Sequence, residues 1–371
     1  MENNLTDKTG AMRLTCEHKG GLVCIDSRQP RLAWQMASPR RGARQTAYQV
    51  RVAATEGDLA DGNSLWDSGK VASAALTCVY AGPPLRSRQT CAWSVRLWDE
   101  DDAVGAWAAP AFWEMGLLEG DDWAAKLIQP DLPETPDSPR PCPLLRKAFR
   151  ITGQVTRARL YITAHGLYEA HINGVRVGDE YFAPGWTTYD KCLQYQSYDV
   201  TDLLHAGDNA LGVILGDGWY RGYVSFLYLN NVYGRRLALL AQLEITYADG
   251  STQVVGSDAT WRCATGPILQ SDMFDGETYD ARLERPGWDQ PGYDGRQWRR
   301  VLETPFDGRI LAAPKGVPVR RIQELRPVAI LHTPAGETVF DMGQNMVGWV
   351  RLRTSGVRGA AVTLQFGEIL D

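Results

Sequence analysis

Leu237-Ala238-Leu239-Leu240-Ala241-Gln242-Leu243-Glu244-Ile245-Thr246-Tyr247 decides the fold class of this chain. Every odd position is apolar, which is the period of a strand that turns one face to a core. Ala248-Asp249-Gly250 follows and supplies the positive φ that a tight turn requires. Ser251-Thr252-Gln253-Val254-Val255 then starts back, so the whole stretch predicts a hairpin. The same alternation marks Cys91–Trp98, which Asp99-Glu100-Asp101-Asp102 ends, and also Tyr48–Ala53, Ala158–Ala164 and Ala361–Phe366. Helical period is confined to a single turn at Val200-Thr201-Asp202-Leu203-Leu204, before Gly207. Many short strands between Gly- and Pro-rich turns predict an all-β chain of tandem β-sandwiches or jelly rolls.

Composition narrows the function. Of 371 residues, 44% are hydrophobic and 22% charged, which excludes wholesale disorder and leaves enough chain for several cores. Lys and Arg number 39 against 44 Asp and Glu, a net charge of −5 with no basic block, so no nucleic-acid partner is expected. No apolar run reaches the ~18–20 residues of a membrane helix, so no membrane partner is expected either. Met1-Glu2-Asn3-Asn4-Leu5-Thr6-Asp7-Lys8 lacks the basic start and apolar middle of a signal peptide. Cys16, Cys24, Cys78, Cys91, Cys142, Cys192 and Cys263 are scattered without a Cys-x-x-Cys pair, and the histidines supply no zinc spacing. A reduced, cytoplasmic protein with no bound metal is the expectation.

Boundaries fall where composition shifts. Residues 118–143 hold Pro130, Pro133, Pro136, Pro139, Pro141 and Pro143, and a linker is predicted over 118–139. A softer break lies at Ala313-Pro314-Lys315-Gly316-Val317-Pro318. The pieces are then 11–117, 140–315 and 319–371. The last is patterned as strands but stops at Glu368-Ile369-Leu370-Asp371 without a closing turn, and a lone piece of sheet leaves an uncovered face. The expectation is that the chain is the front part of a longer protein.

Common catalytic signatures are missing: no Gly-x-Ser-x-Gly, no Gly-Lys-Ser/Thr phosphate loop, no His-Glu-x-x-His. Gly216-Asp217-Gly218-Trp219-Tyr220-Arg221-Gly222 is glycine-rich, but Trp219 would block a phosphate cradle, and the stretch reads as a strand-end loop. What the sequence offers instead is aromatic rings beside carboxylates. They occur in Pro184–Asp190, in Gln194–Asp199, in Asp217–Arg221 and in Asp272–Arg282. Sugars need this mixture, a flat apolar ring against the C–H face and acceptors for vicinal hydroxyls. The competing reading is structural, with each ring closing a sandwich edge and each Asp capping a turn. Asp275 and Glu277 would share a strand face and raise glycoside hydrolysis, although solvated turn carboxylates are the favoured reading. Calcium is a further candidate for such oxygens, without a regular calcium-loop spacing.

Several stretches together resemble the front half of bacterial α-L-rhamnosidases of glycoside hydrolase family 78. They are Ala164–Asp179 around His165-Gly166-Leu167-Tyr168, Ala183-Pro184-Gly185-Trp186-Thr187, Gln194–Thr201, Leu215–Gly222, Gly276–Arg282 and Asp341–Trp349. Trp34, Gln45–Val50 and Trp66–Val71 are similar to the family's N-terminal sandwich. The resemblance implies a fibronectin type III-like sandwich at 11–117 and a jelly roll like galactose- and carbohydrate-binding modules at 140–315. It implies that 319–371 begins a concanavalin-like sandwich. It places the acid and base carboxylates on an (α/α)6 helical barrel, a missing C-terminal catalytic partner to which nothing here corresponds, so no catalytic residue is assigned. The fragment would then be inactive alone and would support binding of a rhamnose-containing glycan, with calcium used in some relatives. Within the matching motifs, Trp186, Asp190, Gln196, Asp217, Trp219, Tyr220, Asp275 and Glu277 are the residues whose chemistry suits sugar contact. Trp186 and Trp219 would stack on the ring, the acids would bind hydroxyls and Tyr220 would edge the pocket. The alternative is a stand-alone, lectin-like tandem β-sandwich that binds polysaccharide or protein.

Overall fold

In the computed structural model, which describes residues 9–21, 24–134 and 140–368, the alternating stretch forms the strand Ala238–Tyr247. It pairs antiparallel with Val155–His165 from His165↔Ala238 to Val155↔Tyr247. The hairpin return is Thr252–Gly256, and Gly250 takes a φ of 82° at the turn. Leu239, Ala241, Leu243 and Ile245 point into one core with Leu160, Ile162 and Ala164. Leu211, Val213 and Leu215 meet them from a facing sheet. That sheet pairs Gly207–Gly216 with Pro143–Ile151 and Leu167–Ile172, and Pro143–Ile151 with Arg262–Thr265. Arg299–Thr304 pairs with a strand of each sheet and so joins them. Two facing antiparallel layers with alternating inward residues make this a β-sandwich, as the pattern dictates.

The first module is a smaller sandwich. Gly10–Cys16, Arg31–Ala37 and Thr77–Val79 form one sheet, and Ala47–Ala53, Thr90–Trp98 and Ala111–Met115 belong to the other. The odd residues Cys91, Trp93, Val95 and Leu97 enter its core with Trp34, Tyr80 and Trp113. A six-residue helix, Glu56–Asp61, crosses between strands because Thr55 Oγ1 accepts from the Asp58 amide and Gly62, at a φ of 79°, closes its end.

The two sandwiches meet over the even face of Ala238–Tyr247. Gln242 Oε1 accepts from the Ala124 and Ala125 amides at 2.7 and 3.0 Å. Glu244 takes two bonds from Arg88, 2.7 Å to Nε and 2.6 Å to Nη2, while Arg88 Nη1 reaches Asp122 at 2.5 Å. Beside them Glu114, itself buried, accepts from Arg159 Nε at 3.0 Å and from Arg157. Tyr195 Oη accepts from the Leu117 amide at 2.8 Å, and Trp123 packs edge-on against the Tyr195 ring at 5.3 Å.

Three expectations need correction or fall outside the structure. The predicted linker is not a free connection throughout: Leu127–Pro130 is a strand paired between Ala238–Tyr247 and Arg299–Thr304. Leu127 and Ile128 are apolar and buried, and Pro130 sits at the strand's last position, where a lost amide costs least. Residues 361–366 form no strand, since a β ladder needs a neighbour, and none of the described residues pairs with them. Residues 320–371 are a separate unit, whose described residues include the hairpin Ala329–His332 with Thr338–Asp341, in which Ile330 faces Phe340. Met1–Lys8, the prolines at 136 and 139, and Ile369–Asp371 lie outside the described residues.

Candidate functional site

The strand Gly207–Gly216 delivers the chain to Asp217, after which Gly218–Arg221 makes one turn of helix. The sequence reading missed this turn, because four residues are too few to show a helical period. Its glycines have a steric cause. Gly218 has a φ of 49°, and a Cβ there would lie 2.4 Å from Leu167 Cγ. A Cβ on Gly222 would lie 2.6 Å from Asp272 Oδ2. The turn is thus pressed between two neighbours, and its large side chains leave in three directions.

Tyr220 goes inward. It stacks on His165 with ring centres 4.7 Å apart and meets Tyr189 edge-on at 5.5 Å. Burial pushes the His165 imidazole down to about 4, so it is neutral in ordinary conditions. Arg221 is also interior. It bonds Asp217 through Nε at 2.5 Å and Glu134 through Nη1 at 2.7 Å. Burial pushes the Asp217 carboxyl up, against the pull of that guanidinium.

Trp219 lies between inside and outside. One side packs on the core, and its ring lies parallel to Trp186, 5.8 Å between centres and 5° between planes. Phe182 meets Trp219 edge-on at 6.1 Å. Trp186 is 55% exposed, and its Nε1 donates to Tyr233 Oη at 3.1 Å. Tyr233 rests on Tyr189 at 5.0 Å, and Tyr189 Oη donates to the Gly185 carbonyl at 2.8 Å. The motif at 184–190 and the motif at 217–221 therefore form one aromatic cluster.

The fourth motif joins from another side. Asp272 Oδ2 accepts from the Tyr223 amide at 2.8 Å, and its Oδ1 accepts from the Phe274 and Asp275 amides at 2.7 and 3.1 Å. Asp275 accepts from the Tyr228 hydroxyl. Glu277 stands exposed on the strand Gly276–Tyr279, opposite Ser271.

The expected residues divide accordingly. Trp186, Trp219 and Asp217 gather at the turn, and Asp275 is tied to the segment that follows it. Asp190 is exposed, with Lys191 Nζ 3.8 Å away. Asp217, Gln196 and Tyr220 are all buried, whereas the expectation set them at a sugar-facing surface. Gln196 Oε1 accepts from Tyr168 Oη at 2.8 Å, its Nε2 donates to the Pro184 carbonyl at 3.3 Å, and it is 5% exposed. Its strand alternation carries it inward, which a motif reading does not register. Phe182, Tyr189, Tyr233 and His165 were not singled out. The Tyr181-Phe182-Ala183-Pro184-Gly185 run held a signal, since aromatics before a Pro-Gly turn have few places to go but a neighbouring ring. The exposed Phe226-Leu227-Tyr228-Leu229 run was also missed, although four apolar residues without alternation fit no half-buried strand.

A second polar cluster lies on the facing sheet. His171 Nδ1 is 2.6 Å from Asp289 Oδ2, and its Nε2 is 3.0 Å from Glu169 Oε1. Burial pulls this imidazole down, but the two carboxylates outweigh it and its pKa is raised. Glu169, bonded to His171 and Arg176, is held down at about 2. Among the described residues no three His, Cys, Asp or Glu side chains converge so as to hold a metal ion. No helix among them is long and apolar enough to cross a membrane.

Two antiparallel β-sandwich modules, followed by a separate hairpin, define the class: a chain of tandem β-domains. Family models match in three successive stretches. Residues 11–119 match the Rha78A-like N-terminal immunoglobulin domain, 153–323 the α-L-rhamnosidase N-terminal domain, and 331–371 the bacterial α-L-rhamnosidase concanavalin-like domain. The chain belongs to the α-L-rhamnosidase family and carries its N-terminal domains. It is 34% identical to an α-L-rhamnosidase of Streptomyces avermitilis, over 94% of this chain and 50% of that protein. It is 37% identical to one from an Alteromonas species, over 92% of this chain and 38% of the relative. Among solved structures, the native α-L-rhamnosidase of Aspergillus terreus superposes with a TM-score of 0.84 at 37% identity, over 92% of this chain and 39% of that one. The Streptomyces avermitilis enzyme, solved with L-rhamnose, gives 0.84 at 31% identity over 91% and 49%. This chain thus spans 38 to 50% of the length of these relatives. The Aspergillus structure shows that the likeness is not confined to bacteria.

Proposed function

We propose that this chain is the non-catalytic N-terminal region of an α-L-rhamnosidase whose whole length hydrolyses terminal α-L-rhamnosides, and that the cluster around Gly218–Arg221 frames the rhamnosyl group. The observation that carries the reading is the convergence on one turn of segments far apart in sequence. Trp186 and Trp219 come parallel there, and the edge of Trp186 is fixed by Tyr233. Family membership supplies the substrate class. Hydrolysis needs an acid and a base or nucleophile carboxylate about 5–9.5 Å apart across the scissile bond. Asp217 is taken by Arg221 and Asp275 by Tyr228, so neither stands ready for that work. The seven cysteines are free thiols, which suits a reducing, cytoplasmic compartment.

The test is an assay of the purified 371-residue chain on an aryl α-L-rhamnoside. No turnover is expected, together with measurable binding of a methyl α-L-rhamnoside. Turnover abolished by one substitution within the chain would overturn the reading.

A further inference from the structure

In the first sandwich, the strand Arg31–Ala37 is covered on one side and left open on the other. It pairs with Gly10–Cys16 out to Ala37↔Gly10. With Thr77–Val79 it pairs only from Arg31 to Ala33, and the Trp34 amide adds one bond to the Leu76 carbonyl at 3.1 Å. Backbone groups of a strand alternate sides residue by residue, so Met36, two on from Trp34, turns its amide and carbonyl to that same side. Among the described residues no backbone partner meets them there. The cause is Gln45. Its buried side chain donates from Nε2 to the carbonyls of Ser73 and Ala75 at 3.0 and 2.8 Å, which draws this stretch of chain away before it can run beside Met36. A cleft of about 510 Å³ opens as a result, lined by Met36, Ser38, Leu76, Arg40 and Arg44 among others. It falls within the ~300–1,000 Å³ that ligand clefts span. Arg40 is answered by Asp99, Glu100 and Asp101. The Arg44 guanidinium has no ion pair among the described residues, since only its backbone amide reaches Glu100.

We propose that this open edge takes an extended acidic peptide as an added strand, with its backbone paired to Met36, an apolar side chain against Met36 and Leu76, and a carboxylate at Arg44. An unpaired strand edge supplies main-chain bonds to any extended segment, and the walls beside it choose the side chains. Here the walls are two apolar residues and one open positive charge, which an apolar and an acidic side chain complete. The inference is independent of the role proposed for the ring cluster, which lies in the other sandwich.

The experiment titrates the 371-residue chain into the fluorescein-labelled peptide Thr-Val-Asp-Val-Thr, amidated at its end, and follows polarisation. Hydrogen exchange over residues 34–37 is the second readout. Saturable binding and slower exchange at Met36 are expected, and N-methylation of the peptide backbone should abolish both. A peptide with Asn in place of its Asp should bind about threefold more weakly, as an exposed ion pair allows, and Arg44→Gln should do the same to the parent peptide. Met36→Pro deletes a donor that the ladder to Gly10–Cys16 does not use, and should weaken binding about fivefold, the worth of one hydrogen bond. No saturable binding, binding indifferent to N-methylation, or an affinity unchanged by both Arg44→Gln and the Asn peptide would overturn the inference. Self-association of the chain that Met36→Pro abolishes would seat a second copy on this edge and overturn it as well.

Discussion

The joint between the two sandwiches and the cluster around Gly218–Arg221 are built from opposite materials. In the joint, charges are buried or half-buried: Glu114 with Arg157 and Arg159, Glu244 and Asp122 with Arg88. In the cluster, a large apolar ring stands outside, with Trp186 more than half exposed. A rule that puts charge out and rings in would exchange the two regions. The joint uses charge because each carboxylate there meets a planar guanidinium in paired or bidentate bonds, which fix geometry as well as energy. The cluster uses rings because a parallel pair keeps a flat surface steady where water reaches it.

The largest expected effect follows from the joint. Glu114→Ala strips the buried Arg159 of its partner at Nε, while Asp199 stays 2.8 Å from Nη1, so the loss should be about 3 kcal/mol, the low end for a broken buried pair. Denaturant unfolding of the whole chain measures it. A loss below about 1 kcal/mol would mean that water enters the joint and that the comparison is false.

Next comes a pH effect that separates two histidines. Burial lowers His165 to about 4 from 6.5, so its neutral form stabilises the fold above the unfolded value and that contribution fades as pH falls from 6.5 toward 4. At the low end the cost is roughly 3 kcal/mol. His171 has the reverse sign. Despite the burial that pulls it down, its bonds to Glu169 and Asp289 raise it, so its contribution is full below 6.5 and fades as pH rises through the raised value. His165→Phe keeps a ring against Tyr220 and should flatten the acid limb of the stability curve. His171→Gln should flatten the neutral-to-alkaline limb. A His165→Phe curve that falls in acid as steeply as the parent's would contradict the assignment.

A smaller effect sharpens the view of the joint as closely packed. A Cβ on Gly116 would lie 2.1 Å from Tyr195 Oη and 2.9 Å from Cys24 Sγ. Gly116→Ala should therefore cost about 1–3 kcal/mol, the usual range for overpacking. Its readout is a lower melting temperature. Tyr195→Phe removes the obstructing oxygen but also the Leu117 amide's acceptor, so the check is a double-mutant cycle: a Gly116→Ala loss that is smaller in the Tyr195→Phe background than in the parent places the clash at that atom.

The strand Ala238–Tyr247 shows what a sequence can and cannot disclose. Its odd face is legible because alternation is local, and Leu239 to Ile245 enter the core as the period requires. Its even face is not. Gln242 and Glu244 look like a solvated edge, yet they hold Ala124 and Arg88, more than a hundred residues earlier in the chain. No local pattern announces a partner at that distance. The cluster divides the same way. Rings beside carboxylates were visible as composition in motifs, but Gln196 and Tyr220 were assigned outward because nothing in a motif states which way its side chains turn. Residues 361–366 carry the period of a strand, and period alone supplies no neighbour to pair with.

The finest comparison lies inside the cluster, between two stacked tryptophans. Trp219 packs on the core with one side, so Trp219→Ala removes buried contact and should cost about 2 kcal/mol, below the ~3–5 kcal/mol of a fully interior tryptophan. Trp186 lies over Trp219, and its removal exposes one ring where another was already exposed. Trp186→Ala should change stability by no more than about 0.5 kcal/mol, as surface substitutions do. Paired melting curves decide the matter. Equal losses at both positions would make the stack a structural unit with no surface to spare. A loss at Trp219 alone leaves Trp186 free of structural duty, and a residue that the fold does not need, yet holds by its edge through Tyr233, is one kept for contact with something else.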